Sequence, residues 1–167
     1  STKNSVPHAP ILLSCTVNFL KKDWLSSASE DEIARAIKEG GLYAQKATTI
    51  KRLIDIIVAN FGKLTLSPLN RMSDEACESF LVSLPGIGKK TARCVIMYSL
   101  ERQVFPVDTH CWRISNRIGW VTWKKRDTSC RQQDMDRLQE LIPPEHRFSL
   151  HVNMISLGRE ICTPLNP

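Results

Sequence analysis

The chain has no apolar run of membrane-spanning length. Residues 10–20 are too short and too polar for a secretory signal. None of the six cysteines, at 15, 77, 94, 111, 130 and 162, pairs with another at a Cys-x-x-Cys spacing. That excludes a zinc ribbon and argues against a disulfide scaffold, so they read as reduced thiols of an intracellular protein. No metal-ligand spacing joins the histidines. Alternating apolar and polar residues are missing, so no strand is expected, and there is neither a repeat nor a low-complexity segment. Glycine is scarce at seven residues, which makes the closely spaced pair Gly86 and Gly88 conspicuous.

What is present is helical. Ser29 with Glu32 forms a capping box, and Gly40-Gly41 is expected to close the helix that follows. Residues 44–61 carry the strongest periodicity, through Ile50, Leu53, Ile54, Ile57, Val58 and Phe61, with Gly62 as the stop. A Pro-containing connector spans 63–72. Ser73 is placed to cap a helix to Leu84, with Asp74 and Glu75 in its first turn. Further helices are expected over 89–100, 109–118, 129–142 (ended by Pro143-Pro144) and 147–157. The fold class is all-α.

Leu84-Pro-Gly-Ile-Gly-Lys-Lys-Thr-Ala92 joins two of these helices through a short hairpin. Pro85 and Gly86 end the first, and Gly88 is expected to permit a tight reversal. Backbone N–H groups of Gly86, Gly88 and the first helical residues would then face outward at a helix N-terminus, which is an anion site by construction. An ordinary helical hairpin, with glycine present only for turn geometry, uses the same residues. Downstream, Phe105-Pro-Val-Asp-Thr-His110 sets a single carboxylate, Asp108, before the next helix. A lysine at a helix start is most often a solvated surface group, and an aspartate there is most often a cap. Only together do Lys90 and Asp108 read as chemistry.

The charge balance agrees without deciding. Lysine plus arginine number 23 against 17 acids, a net charge of +6. That suits a polyanionic partner, whose binding would weaken steeply with salt.

These segments resemble the helix-hairpin-helix (HhH-GPD) DNA glycosylases of the endonuclease III type. The likeness rests on Leu84–Ala92, Val107-Asp-Thr-His-x-x-Arg113, Arg117, Gly41-Leu-Tyr-x-x-Lys-Ala47 and Ser156-Leu-Gly-Arg-Glu-Ile-Cys162, and runs roughly from residue 30 to 162. The resemblance implies two helical lobes with a cleft between them. One is a helical barrel over 10–103, containing the helix-hairpin-helix at 73–100. The other is built from 1–9 and 104–167.

It also implies a bifunctional DNA glycosylase and AP lyase, with Lys90 as the Schiff-base lysine and Asp108 as the essential acid. Gly86, Ile87, Gly88, Lys89, Thr91, His110 and Arg113 are the expected DNA contacts. The partner would be double-stranded DNA carrying a lesion or an abasic site, with no membrane and the protein acting as a monomer. The stretch Phe105-Pro-Val-Asp-Thr and the run to Trp120 are also similar to plant 5-methylcytosine glycosylases, so 5-methylcytosine or mismatch specificity stays open beside a damaged pyrimidine. A non-catalytic helix-hairpin-helix clamp stays open as well, since such units also grip DNA backbones without chemistry. In the family, the cysteine at 162 is the first of four ligands of a 4Fe–4S cluster. No further ligand follows before Pro167 and one thiolate cannot hold a cluster, so no cofactor is expected unless the native chain continues. The family's early helix with a base-gap-filling glutamine is not recognisable in residues 10–25, and Gln45 lies in the wrong context.

The chemistry can be argued independently. A lysine attacks a sugar carbon only as the neutral amine. An ordinary lysine at neutral pH is disfavoured in that form by roughly 4–5 kcal/mol. A helix N-terminus recovers about 0.3–1 kcal/mol and repulsion from Lys89 adds to it, so desolvation is also required. His110, His151 and the Trp120–Arg126 stretch read more readily as packing and solvated charge than as catalysis.

Overall fold

The computed structural model describes residues 24–40, 42–122 and 130–165. Among these, eight α-helices and no strand are present. No helix of the described residues is long and apolar enough to cross a membrane. By its internal contacts the chain forms two compact units, residues 1–68 and 69–167.

In the first unit, α1 (Trp24–Ser27) precedes α2 (Glu30–Ala36) and α3 (Tyr43–Phe61). The expected capping box is present: Ser29 Oγ accepts from the Glu32 N–H, and Glu32 accepts from the Ser29 N–H at 2.8 Å. α2 stops at Ala36 and a 3-10 turn, Lys38–Gly40, follows, so the helix ends before the glycines. Gly41 lies outside the described residues. The periodic face of α3 is real. Ile54 is buried with Ala47 against Leu25, Ala28 and Ile33, and Ile50 and Val58 flank them. Gly62 ends α3 at φ 72°, a conformation that favours glycine.

The second unit holds α4 (Asp74–Ser83), α5 (Lys89–Ser99), α6 (Thr109–Arg117), α7 (Gln132–Leu141) and α8 (Pro144–Glu160). The lobe boundary expected at 103/104 falls inside this unit. Arg102 explains part of that. Its guanidinium reaches back to the Leu69, Asn70 and Met72 carbonyls and to Asp74. The core is Phe105, Val107, Cys111, Ile114, Val121, Leu138, Ile142 and Met154.

Two elements depart from expectation. α8 begins at Pro144 and runs to Glu160, longer at both ends than 147–157. Pro143-Pro144 therefore starts this helix besides ending the last one, because the first turn does not need proline's missing N–H. α7 begins at Gln132, after residues outside the description.

Between α5 and α6 the chain has no regular secondary structure, and residues 104–107 are buried. Side chains of α7 and α8 hold its backbone. Gln139 Oε1 accepts the Phe105 N–H at 2.9 Å, Arg147 donates to the Gln103 carbonyl at 2.6 Å, and His151 lies 2.9 Å from the Pro106 carbonyl. Asp108 comes at the end of this clamped segment.

Candidate active site and nucleic-acid interface

The helix-hairpin-helix forms within the second unit, where α4 packs on α5. Ser73 caps α4, and the chain leaves it at Leu84. Gly86 carries the turn at φ 77°. Gly88, the residue before α5, sits at φ −91° and ψ 170°, a conformation open to any residue, with no atom within 4 Å of where a Cβ would stand. The reversal expected at Gly88 is therefore made by Gly86. What Gly88 provides is bare backbone at the helix start.

Among the described residues no side chain caps α5. Its first N–H groups meet the surface beside the exposed Gly86, Gly88, Lys90 and Thr91 and the half-buried Ile87. The start of α6 is the opposite case. Asp108 Oδ1 accepts from the His110 N–H at 2.9 Å and from the Cys111 N–H at 2.8 Å. One helix end is neutralised by its own carboxylate, and the other is left open to an external anion.

The two lysines differ in environment. Lys89 is tied down: its ammonium lies 3.3 Å from Glu78 and 2.7 Å from Asp136. The buried Arg93 joins the same acids and donates to the Met135 carbonyl at 2.9 Å. Partial burial pushes Asp136 up, but hydrogen bonds and charge from Lys89 and Arg93 prevail and hold it below the usual carboxylate range. This cluster fastens the hairpin to α7. It also means that Lys89 is paired with two acids beside Lys90.

Lys90 is exposed. One turn further along the same face, Cys94 is buried. Burial pushes its thiol up, Lys90 pulls it down, and Asp108 pushes it up again, so both charges act on one atom. Tyr98, a further turn along, is raised by burial and by Cys94, Cys111 and Asp108. The chain thus brings Lys90, Cys94, Tyr98, Asp108, Cys111 and His151 into one neighbourhood. Cys111 and His151 carried no motif in the sequence. The signal available for His151 was only an ionisable residue on the apolar face of the last helix.

His110 and Arg113 take structural roles. Arg113 Nη2 donates to His110 Nδ1 at 3.0 Å and to the Gly158 carbonyl at 2.7 Å, and Nε donates to the Cys162 carbonyl at 2.9 Å. Arg117 Nη1 lies 2.8 Å from Cys162 Sγ. Two arginines of α6 therefore close the C-terminal end of α8. His110 is half-buried against Gly158.

For a metal centre the described residues do not fit. No group of three histidine, cysteine or acidic side chains able to hold a metal ion occurs among them, and the Cys162 thiol lies beside Arg117.

Known proteins resemble this chain in sequence and fold. Residues 11–144 match the family model described as HhH-GPD superfamily base excision DNA repair protein. Endonuclease III of Thermotoga maritima is 35% identical over 143 residues, covering 86% of this chain and 61% of that protein. The DNA glycosylase/AP lyase ROS1 of Arabidopsis thaliana is 28% identical over 160 residues, 87% of this chain and 12% of its own. A solved structure of a non-covalent endonuclease III–DNA complex superposes with a TM-score of 0.70 at 25% identity, covering 92% of this chain and 68% of that one. The chain thus spans only part of the curated relatives it matches. With a family model over most of its length and the same helical fold, this chain belongs to the HhH-GPD superfamily of base excision DNA repair proteins.

Proposed function

We propose that the chain is a bifunctional DNA glycosylase and AP lyase of base excision repair that removes a damaged or modified pyrimidine from double-stranded DNA. One observation carries the reading. An uncapped helix start presents an exposed lysine, and one turn on lies a buried thiol that feels both that lysine and the Asp108 carboxylate.

The open end of α5, with Gly86, Ile87 and Gly88, takes a backbone phosphate. The target base is flipped out of the stack. Lys90 Nζ, as the neutral amine, attacks C1′. The glycosidic bond breaks and its electron pair leaves with the base, which takes a proton. Asp108 stabilises the positive charge that develops on the sugar and accepts a proton from the attacking nitrogen. The nitrogen lone pair then forms the Schiff base as the C1′–O4′ bond breaks, its electron pair going to O4′, which takes a proton. Loss of a C2′ proton then expels the 3′ phosphate by β-elimination, and water returns the lysine.

Lys90 is exposed in the DNA-free protein. The desolvation that the amine requires is thus supplied by the docked duplex. Lys89, neutralised by Glu78 and Asp136, contributes little to it.

The names of the relatives support base excision and leave the base open. An excision panel on duplexes carrying thymine glycol, dihydrouracil, uracil, 8-oxoguanine, 5-methylcytosine or an abasic site tests the proposal. Release of at least one base, with strand cleavage at the abasic site, is expected. Excision confined to 5-methylcytosine or to a mismatch would move the substrate class. DNA binding that is unchanged in Asp108→Ala, with no excision by either protein, would make this a non-catalytic clamp.

A further inference from the structure

Behind Asp108 lies a buried histidine that the proposed chemistry does not use. His151, from the middle of α8, is 2% exposed. Its Nδ1 lies 2.9 Å from the Pro106 carbonyl oxygen. A carbonyl only accepts, so the proton sits on Nδ1 and donates to it. The same nitrogen is 3.5 Å from Cys111 Sγ. Phe105 and Tyr98 meet the ring edge-on, at centroid separations of 6.1 Å and 5.9 Å. Burial pushes His151 below the usual histidine range, which suits the neutral ring that this bond needs.

Both partners of the ring flank Asp108. Pro106 is two residues before it on the buried segment that joins α5 to α6. Cys111, three residues after it, gives its backbone N–H to Asp108 Oδ1. Burial and the Asp108 charge raise the Cys111 thiol, which keeps its proton beside the carboxylate. One buried ring is therefore in contact with the chain on both sides of the carboxylate.

We propose that His151 is a positioning residue for Asp108, holding the Pro106 carbonyl and backing the Cys111 thiol so that the carboxylate is fixed against the lysine-bearing helix. The inference rests on the catalytic reading of Asp108 given above. Loss of the Nδ1 donor leaves a buried carbonyl without its partner and lets the Pro106–Asp108 segment relax. A shift of about 1 Å in a reacting group costs on the order of 100-fold in rate, so a smaller relaxation is expected to cost about tenfold or more.

The test uses a duplex with a single abasic site, single-turnover strand cleavage, the duplex Kd and urea unfolding. His151→Leu keeps bulk and loses the donor, whereas His151→Asn places an N–H near the Nδ1 position. His151→Leu is expected to cleave about 10- to 100-fold more slowly, with Kd within about twofold of wild type. His151→Asn is expected to recover most of that rate. In the double variant with Asp108→Asn, His151→Leu is expected to add no further loss.

Wild-type cleavage by a folded His151→Leu, or equal losses in the Leu and Asn variants, would overturn the proposal. If His151→Leu does not fold, His151→Gln replaces it, since its amide reaches toward Nε2. Asn is then expected to outperform Gln, and equality would overturn the role. Cleavage by Asp108→Asn at the wild-type rate, or an abasic duplex left intact by wild type, would remove the functional reading and this inference with it. An inactive Asp108→Asn beside a fully active His151→Leu would remove the inference alone.

Discussion

Gly158→Ala separates close helix packing from ordinary helix propensity, because the two predict opposite signs. In an exposed helix interior, alanine in place of glycine stabilises by about 0.8–1.0 kcal/mol. At Gly158 the new Cβ would stand 2.7 Å from His110 Cβ and Nδ1 and 3.0 Å from Cγ. Carbon atoms rest at about 3.5–4.0 Å, so α6 and α8 would have to part by about 1 Å. His110 Cβ is bonded to the backbone and cannot swing aside. Overpacking of this kind costs about 1–3 kcal/mol, which leaves a net change between neutral and about 2 kcal/mol of destabilisation. The strain falls on the first turn of α6, where Asp108 caps the helix and Arg113 holds the Gly158 carbonyl at 2.7 Å. Urea unfolding gives the sign. Single-turnover cleavage of an abasic duplex is expected to fall by more than the loss of folded protein explains. Stabilisation by about 1 kcal/mol with unchanged cleavage would refute the reasoning.

Three further outcomes are expected. Ser115 is fully buried and its hydroxyl has no hydrogen-bond partner among the described residues, so Ser115→Ala should raise stability by about 1 kcal/mol, read by thermal unfolding. Arg93→Met removes a guanidinium that is 3% exposed and serves Glu78, Asp136 and the Met135 carbonyl. Allowing for the partial exposure of both acids, about 2–4 kcal/mol is lost, measured by urea unfolding. Asp136 is held below the ordinary aspartate range, so its contribution is complete above about pH 4 and is lost as pH falls through the lower folded value. Asp136→Asn should flatten that acid limb in a pH series of unfolding midpoints.

Local signals in the sequence proved reliable where they rested on the chain's own geometry. The Ser29–Glu32 capping box, the Ser73 cap, the apolar face of α3 and its Gly62 stop all involve neighbours in sequence, and all formed. Asp108 as a helix cap was legible for the same reason. Long-range partners were not. Nothing local marks Lys89 as an ion-pair partner of Glu78 and Asp136, or Arg113 as the cap of α8, since each pairing appears only when distant helices pack. The same holds for His151, whose partners Pro106 and Cys111 lie 45 and 40 residues away in sequence. Gly88 was misread because a glycine in a turn suggests a special backbone angle. Here that angle belongs to Gly86, and Gly88 leaves its surroundings open.

The central claim is that Lys90 forms a covalent bond to DNA. Incubation with an abasic duplex and borohydride, followed by intact mass and peptide mapping, tests it directly. The account predicts a reduced protein–DNA adduct mapped to Lys90, abolished in Lys90→Gln although that variant still binds duplex. An adduct on another residue, or equal trapping by wild type and Lys90→Gln, would contradict it.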